Sequence, residues 1–233
     1  MSAGISKRRV FVLGGTGTIG RATVRVLIER GHDVVCFVRP RPTGGDRKNA
    51  DNYPDLSDGV ELRHGDVTDA ASLSRDGFRG ETFDAVVSCL ASRTGVPKDA
   101  WAIDHAAHVN ALSAGKAAGI SHFILLSAIC VQKPLLAFQE AKLAFEAELT
   151  ASGVPYSIVR PTAFFKSLSG QVDRVRNGKP FLIFGDGTLT ACKPISDRDL
   201  GRFIADCLND ESRLNRILPI GGPGDAITPK QQG

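Results

Sequence analysis

The chain predicts an α/β protein built on a doubly wound, mostly parallel sheet. Three observations lead there. Short continuous apolar runs alternate with amphipathic stretches along the 233 residues, the pattern of strands covered on both faces by crossover helices. The first run, Val10–Leu13, passes directly into Gly14-Gly15-Thr16-Gly17-Thr18-Ile19-Gly20 and then into a helical pattern. Composition is that of an ordinary globular domain, 42% hydrophobic and 23% charged, enough to fill a sizeable core.

Taken in order, Val10–Leu13, Val34–Val38, Val60–Leu62, Ala85–Cys89, Phe123–Leu126 and Ser157–Val159 read as strands. Helical spacing fits about 19–30, 68–75, 101–118, 138–151 and 164–177. Gly31 closes the first helix. The polar stretch Pro40–Asp58 is expected as a loop, not a domain linker. After Arg160-Pro161 the rhythm changes. Phe181–Phe184 runs into the turn signal Gly185-Asp186-Gly187. Ser196 with Asp199 forms a capping-box pattern before Leu200, Phe203, Ile204, Cys207 and Leu208, and Ile217–Ile220 is a further strand candidate. Thr228-Pro229 announces a helix after which only four residues remain. That predicts a C-terminal region cut short.

Bulk properties narrow the function. A net charge of +4 suits an anionic small molecule or an anionic membrane surface. No basic patch interleaved with aromatics appears, so nucleic acid is not expected as a partner. Cys36, Cys89, Cys130, Cys192 and Cys207 show no CxxC or metal spacing, and read as small buried residues in a reducing compartment. His105 and His108 stand three apart on a helix without a third ligand, so no metal site is expected. There is no apolar run near 20 residues and no signal peptide, and the basic residues Lys7, Arg8 and Arg9 sit in too short a leader for transit. A cytoplasmic protein is expected.

The glycine loop predicts a grip on a dinucleotide pyrophosphate, the Rossmann arrangement. Gly14 and Gly15 permit the tight turn, Gly17 lets backbone approach a phosphate, and Gly20 lets the helix pack on the strand. The helix N-terminus then faces the anion. The alternative is a glycine-rich turn without a ligand. On this reading residues 1–160 form an NADP-binding Rossmann domain, and 161–233 supply the last strands and a small substrate-side region interleaved with the same fold.

Cofactor choice falls to the end of the second strand, where an acidic residue would hold a ribose 2′-hydroxyl. Here stand Arg39 and Arg41, with Arg47 and Lys48 beyond, which suits the 2′-phosphate of NADPH. Asp66, before Val67, either accepts from the adenine amino group or caps the helix beginning near Thr68. Cys89-Leu90-Ala91 should pass under the adenosine half through backbone contacts, and Pro161 completes the expected cofactor set.

Ser127 ends the fifth strand, and Lys142 lies in Phe138-Gln139-Glu140-Ala141-Lys142. With the glycine loop, these positions resemble the extended and atypical short-chain dehydrogenase/reductase superfamily, which uses a Ser and a Tyr-x-x-x-Lys pair. Phe138 occupies the tyrosine position. It has no hydroxyl with which to protonate an alkoxide or deprotonate an alcohol, so carbonyl chemistry is not expected. Ser127 and Lys142 are the candidate catalytic residues. Lys142 either meets the nicotinamide ribose or is an ordinary exposed helical lysine.

Longer strings resemble the divinyl chlorophyllide a 8-vinyl-reductase family. They are Leu90-Ala91-Ser92-Arg93-Thr94-Gly95, Asp99-Ala100-Trp101-Ala102-Ile103-Asp104, and the stretch from Leu126 to Pro134. Arg160-Pro161-Thr162-Ala163-Phe164-Phe165-Lys166-Ser167 and Ala191-Cys192-Lys193-Pro194-Ile195-Ser196 belong with them. The resemblance implies an NADPH-dependent oxidoreductase acting on a CH–CH group. It would reduce a pigment's 8-vinyl group to ethyl in chlorophyll or bacteriochlorophyll synthesis. Members are usually longer at the C-terminus.

Such chemistry needs no phenol acid. Hydride at the outer vinyl carbon would spread negative charge into the macrocycle, and the inner carbon would then take a proton from Ser127, Lys133, Lys166 or solvent. The expected tetrapyrrole pocket is Ile129, Val131, Leu135, Leu136, Phe164 and Phe165, or these residues are ordinary core and lid packing. Lys133, Lys166 or Lys193 could meet the pigment's propionate, and His105 or His108 its magnesium. A peripheral contact with the photosynthetic membrane accompanies this reading. Two alternatives are a non-catalytic NmrA-like dinucleotide-binding regulator and another atypical reductase of conjugated alkenes, similar to isoflavone reductase.

Overall fold

A computed structural model describes residues 6–40, 56 and 59–233. Its centre is a seven-stranded sheet in the order β3-β2-β1-β4-β5-β6-β7, with every pairing parallel. The strands are β1 Arg9–Leu13, β2 Asp33–Val38, β3 Val60–His64, β4 Ala85–Ser88, β5 His122–Leu126, β6 Tyr156–Pro161 and β7 Arg216–Ile220. The side-chain period of two divides each strand between two cores. Phe11 and Leu13 join one, with Phe78, Ala107, Ala111 and Phe145. Val10 and Val12 join the other, with Val24, Leu27, Leu200 and Ile204. The expected doubly wound sheet is therefore what forms, and it extends through residue 220, so the segment after Pro161 adds β7 to the same sheet.

Helix α1, Thr18–Glu29, ends where Gly31 takes φ +80°. Helix α2, Ala70–Ser72, is capped by Asp69, whose side chain accepts from the Ala71 amide, and continues as a π-helical turn over Leu73–Phe78. A single helix was expected there. Helix α3, Pro97–Ala100, passes through a π-helical stretch, Trp101–Ala106, into α4, Ala107–Ala117. Helix α5 covers Ala137–Ala151.

The helix expected over 164–177 is broken into α6, Phe165–Leu168, a 3-10 turn, and α7, Val172–Arg176. None of its residues is buried, so no packed face holds it straight. Phe181–Phe184 forms no strand; Leu182, Ile183 and Phe184 are exposed. Helix α8, Asp197–Asp206, is capped as expected, Ser196 Oγ accepting from the Asp199 amide at 3.0 Å. Helix α9, Pro229–Gln232, carries a capping box from Thr228 to Gln231. Among the described residues no helix is long and apolar enough to cross a membrane.

Candidate dinucleotide site

Strand order reverses between β1 and β4, and ligands of open α/β sheets collect at the carboxyl ends of strands beside such a reversal. The loop after β1 enters this crevice tightly. Gly14 has φ +71°, and a Cβ there would stand 2.6 Å from the Cys89 carbonyl. A Cβ on Gly20 would stand 2.1 Å from the Gly14 carbonyl oxygen. Only glycine satisfies either contact. The N-cap of α1 is Gly17, which offers no side chain, and no acidic residue stands in the first turn. Thr16, Gly17, Thr18 and Ile19 thus present backbone and hydroxyl groups at the positive end of a 12-residue helix. This cradle fits a dinucleotide pyrophosphate.

Arg39 leaves β2 exposed on the same edge. Its charge contributes to holding two carboxyls below their usual range, after larger contributions from hydrogen bonds: those of Thr68 to Asp66 and of Thr94 to Asp99. Asp66 accepts from the Thr68 amide at 2.9 Å, forming a local turn, while the helix cap is Asp69. Val67 is buried in the core. Arg41, Arg47 and Lys48 lie outside the described residues. Cys89 follows β4, and burial pushes its thiol, like that of Cys36, up to about 12. Leu90 and Ala91 follow it along the crevice edge, half-buried and exposed, and Pro161 closes β6.

Behind the crevice lies a chain of satisfied polar groups. Lys142 Nζ sits 3.0 Å from Asp104 Oδ1, with side chains only 9% and 1% exposed. Asp104 rides on the π-helical stretch between α3 and α4 and also faces the Ser92 amide at 3.4 Å. Such stretches recur at functional sites. One turn beyond Lys142 on α5, Glu146 accepts from the Ser127 hydroxyl and is clasped by the Arg160 guanidinium. Ser127 is therefore already donating its proton inside the protein. Phe138, one turn before Lys142, is half-buried.

His108 is fully buried, hydrogen-bonded to Ser88 Oγ at 2.8 Å and to the Ile103 carbonyl at 3.0 Å. Desolvation, then the nearby Lys142 charge, lowers it to about 4. His105 pairs with Glu148 at 2.6 Å. Both histidines have protein partners, and among the described residues no group of side chains is arranged to hold a metal.

Sequence reasoning did not single out Asp104, Glu146 or Arg160 for this site. Carboxylates embedded in apolar helical runs, Ile103-Asp104 and Phe145-Glu146, were the available signal.

The substrate-side residues are dispersed. Ile129 and Val131 lie in a 3-10 turn after β5, Val131 1% exposed. The turn is tied to α5 by Gln139, whose amide donates to the Cys130 carbonyl. Leu135 and Leu136 are exposed, as is Phe165, while Phe164 forms a bridge to Ile195. Lys166 extends toward the glycine loop, Nζ 2.8 Å from Thr18 Oγ1. A cleft of about 370 Å³ opens beside α6, lined among others by Ser167, Leu168, Phe181, Phe184 and Leu189. None of the expected pocket residues lines it.

Parallel sheet, switch-point crevice and glycine cradle together define a dinucleotide-binding α/β protein. A family model described as NAD(P)H-binding matches residues 14–211, and the chain belongs to that family. It is 52% identical, over 98% of its length, to the divinyl chlorophyllide a 8-vinyl-reductase, chloroplastic, of Oryza sativa subsp. indica. With the protein of the same name from Arabidopsis thaliana it shares 53% identity over 96% of its length. The chain spans 58% and 55% of those two relatives. Among solved structures, isoflavone reductase superimposes with a TM-score of 0.71 at 25% identity, covering 97% of this chain and 74% of that one.

Proposed function

We propose that the protein reduces the 8-vinyl group of a divinyl chlorophyllide or protochlorophyllide to ethyl, using NADPH. The observation that carries this reading is the 52% identity to the rice reductase across nearly the whole chain. When bound, NADPH supplies the hydride. The chain's own part is to hold and orient. Gly14, Gly15, Thr16, Gly17, Thr18, Ile19 and Gly20 cradle the pyrophosphate, with Cys89, Leu90, Ala91 and Pro161 along the crevice. Arg39 pairs with the 2′-phosphate, and Asp66 and Val67 face the adenine through the turn that ends at Thr68. Lys142, fixed by Asp104, meets the nicotinamide ribose.

Phe138, in the tyrosine position, supports an alkene as acceptor, because alkoxide chemistry would need a phenol there. Ile129, Phe164 and Phe165 offer apolar contact to the macrocycle, and the net charge of +4 suits a peripheral approach to an anionic photosynthetic membrane.

The test mixes this chain with NADPH and divinyl chlorophyllide, then divinyl protochlorophyllide, and follows the Soret band. A shift in the band, matched by NADPH consumption, is expected. NADPH binding with no shift on either pigment would reject the reductase reading in favour of a non-catalytic dinucleotide-binding protein.

A further inference from the structure

We propose that Lys166 is a ligand of the cofactor's pyrophosphate, so that the substrate-side helix α6 is fastened to the bound dinucleotide. Lys166 Nζ lies 2.8 Å from Thr18 Oγ1, and Thr18 is the first residue of α1. An ammonium beside the positive end of a helix is electrostatically misplaced unless an anion lies between them. Among the described residues none is seen to supply one. The first turn of α1 holds no acidic residue, and among the described residues Lys166 pairs with no carboxylate. The missing negative charge is that of a phosphate resting in the glycine cradle.

The hydrogen bond itself is compatible with this role. Thr18 Oγ1 accepts from Lys166, which leaves the hydroxyl proton for a phosphate oxygen.

The backbone that carries Lys166 is anchored. Phe164 bridges Ile195, and the Phe165 amide donates to the Ile195 carbonyl at 3.3 Å. The residues that follow, Ser167 and Leu168, line the 370 Å³ cleft. One short helix thus touches the cofactor loop with one side chain and the cleft with the next two. Binding the dinucleotide therefore fixes that wall of the cleft.

This inference rests on dinucleotide binding and not on the identity of the pigment. Lys166→Ala, Lys166→Gln and Lys166→Arg are titrated with NADPH and with NADH, and hydrogen exchange is followed over residues 164–176. Loss of a charge-assisted contact predicts about a 10- to 100-fold weaker Kd for both nucleotides in the Ala and Gln variants. Lys166→Arg should retain most of the affinity, and the ligand-free melting midpoints should match wild type. NADPH should slow exchange over 164–176 in the wild type and not in Lys166→Ala.

Unchanged affinities in the Ala and Gln variants would overturn the proposal. So would a rise in pigment KM alone, which would assign Lys166 to the substrate carboxylate. If the wild type bound neither nucleotide, the dinucleotide assignment itself would fall.

Discussion

Replacing Asp104 with Asn tests the polar chain behind the crevice most directly. In the wild type, Lys142 and Asp104 form an ion pair at 3.0 Å, both side chains almost fully withdrawn from water. The Asn variant keeps the shape and an acceptor for the Ser92 amide, but it leaves the ammonium without a counter-charge. Removing one partner of a buried pair costs about 3–5 kcal/mol, because the survivor has lost its hydration and gained nothing. Against a typical total stability of about 5–15 kcal/mol that is a large fraction.

For a domain of this size each kcal/mol moves Tm by about 2–4 °C, so a fall of roughly 6–20 °C is expected. With a urea m-value of about 2–3 kcal/mol/M, the urea midpoint should drop by roughly 1–2.5 M at unchanged m. The assay is a double-mutant cycle with Lys142→Met. Removing both charges lets the site relax to an uncharged packing, so Asp104→Asn/Lys142→Met should recover much of the loss. An Asp104→Asn variant within about 1 kcal/mol of wild type would refute the reasoning. A double variant no more stable than the single one would do the same, since the cost would then not arise from stranded charge.

Arg39→Asp should weaken NADPH binding by at least about tenfold while improving NADH, read as the ratio of the two Kd values; an unchanged NADPH Kd would remove Arg39 from the 2′-phosphate site. Gly20→Ala forces a Cβ to within 2.1 Å of the Gly14 carbonyl oxygen. The loop must therefore move, and isothermal titration should detect no nucleotide binding. Acid should destabilise the fold. His108 and His122 are both held at about 4 by burial, below the ordinary 6.5, so as pH falls the unfolded chain takes up protons that the folded one refuses. Stability is fully present above about 6.5 and is lost toward 4, by an amount on the order of 3 kcal/mol for each histidine. Urea midpoints measured across that window should fall, and His108→Gln should fall less steeply than wild type.

Much of the fold was written in local pattern. The inner strands carry runs such as Val34-Val35-Cys36-Phe37-Val38, apolar at successive positions because both faces are covered, and such a run reads directly as a parallel strand. The glycine cradle was legible for the same reason, since steric demands on Gly14 and Gly20 leave no other residue type. The break in the helix expected over 164–177 was not legible. Helical spacing there suggested one helix, but spacing creates a helix only when a face is buried, and this segment buries none. Lys166 shows the same limit. Its neighbours Phe164 and Phe165 suggested a pigment wall, whereas its partner Thr18 lies 148 residues away in sequence, and no local signal reports such a contact.

The polar groups around the expected reaction centre are consumed by one another. Lys142 is matched by Asp104, and the Ser127 hydroxyl is spent on Glu146, which Arg160 also holds. The phenol that would link such a serine and lysine in hydroxyl chemistry is replaced by Phe138. Moving a proton from any of these groups would break a buried, compensated contact, at a cost of several kcal/mol. The arrangement favours a rigid and electrically balanced platform over a proton donor. Under the proposed vinyl reduction, the developing charge would spread through the acceptor's own conjugated ring, and the proton would come from outside this network.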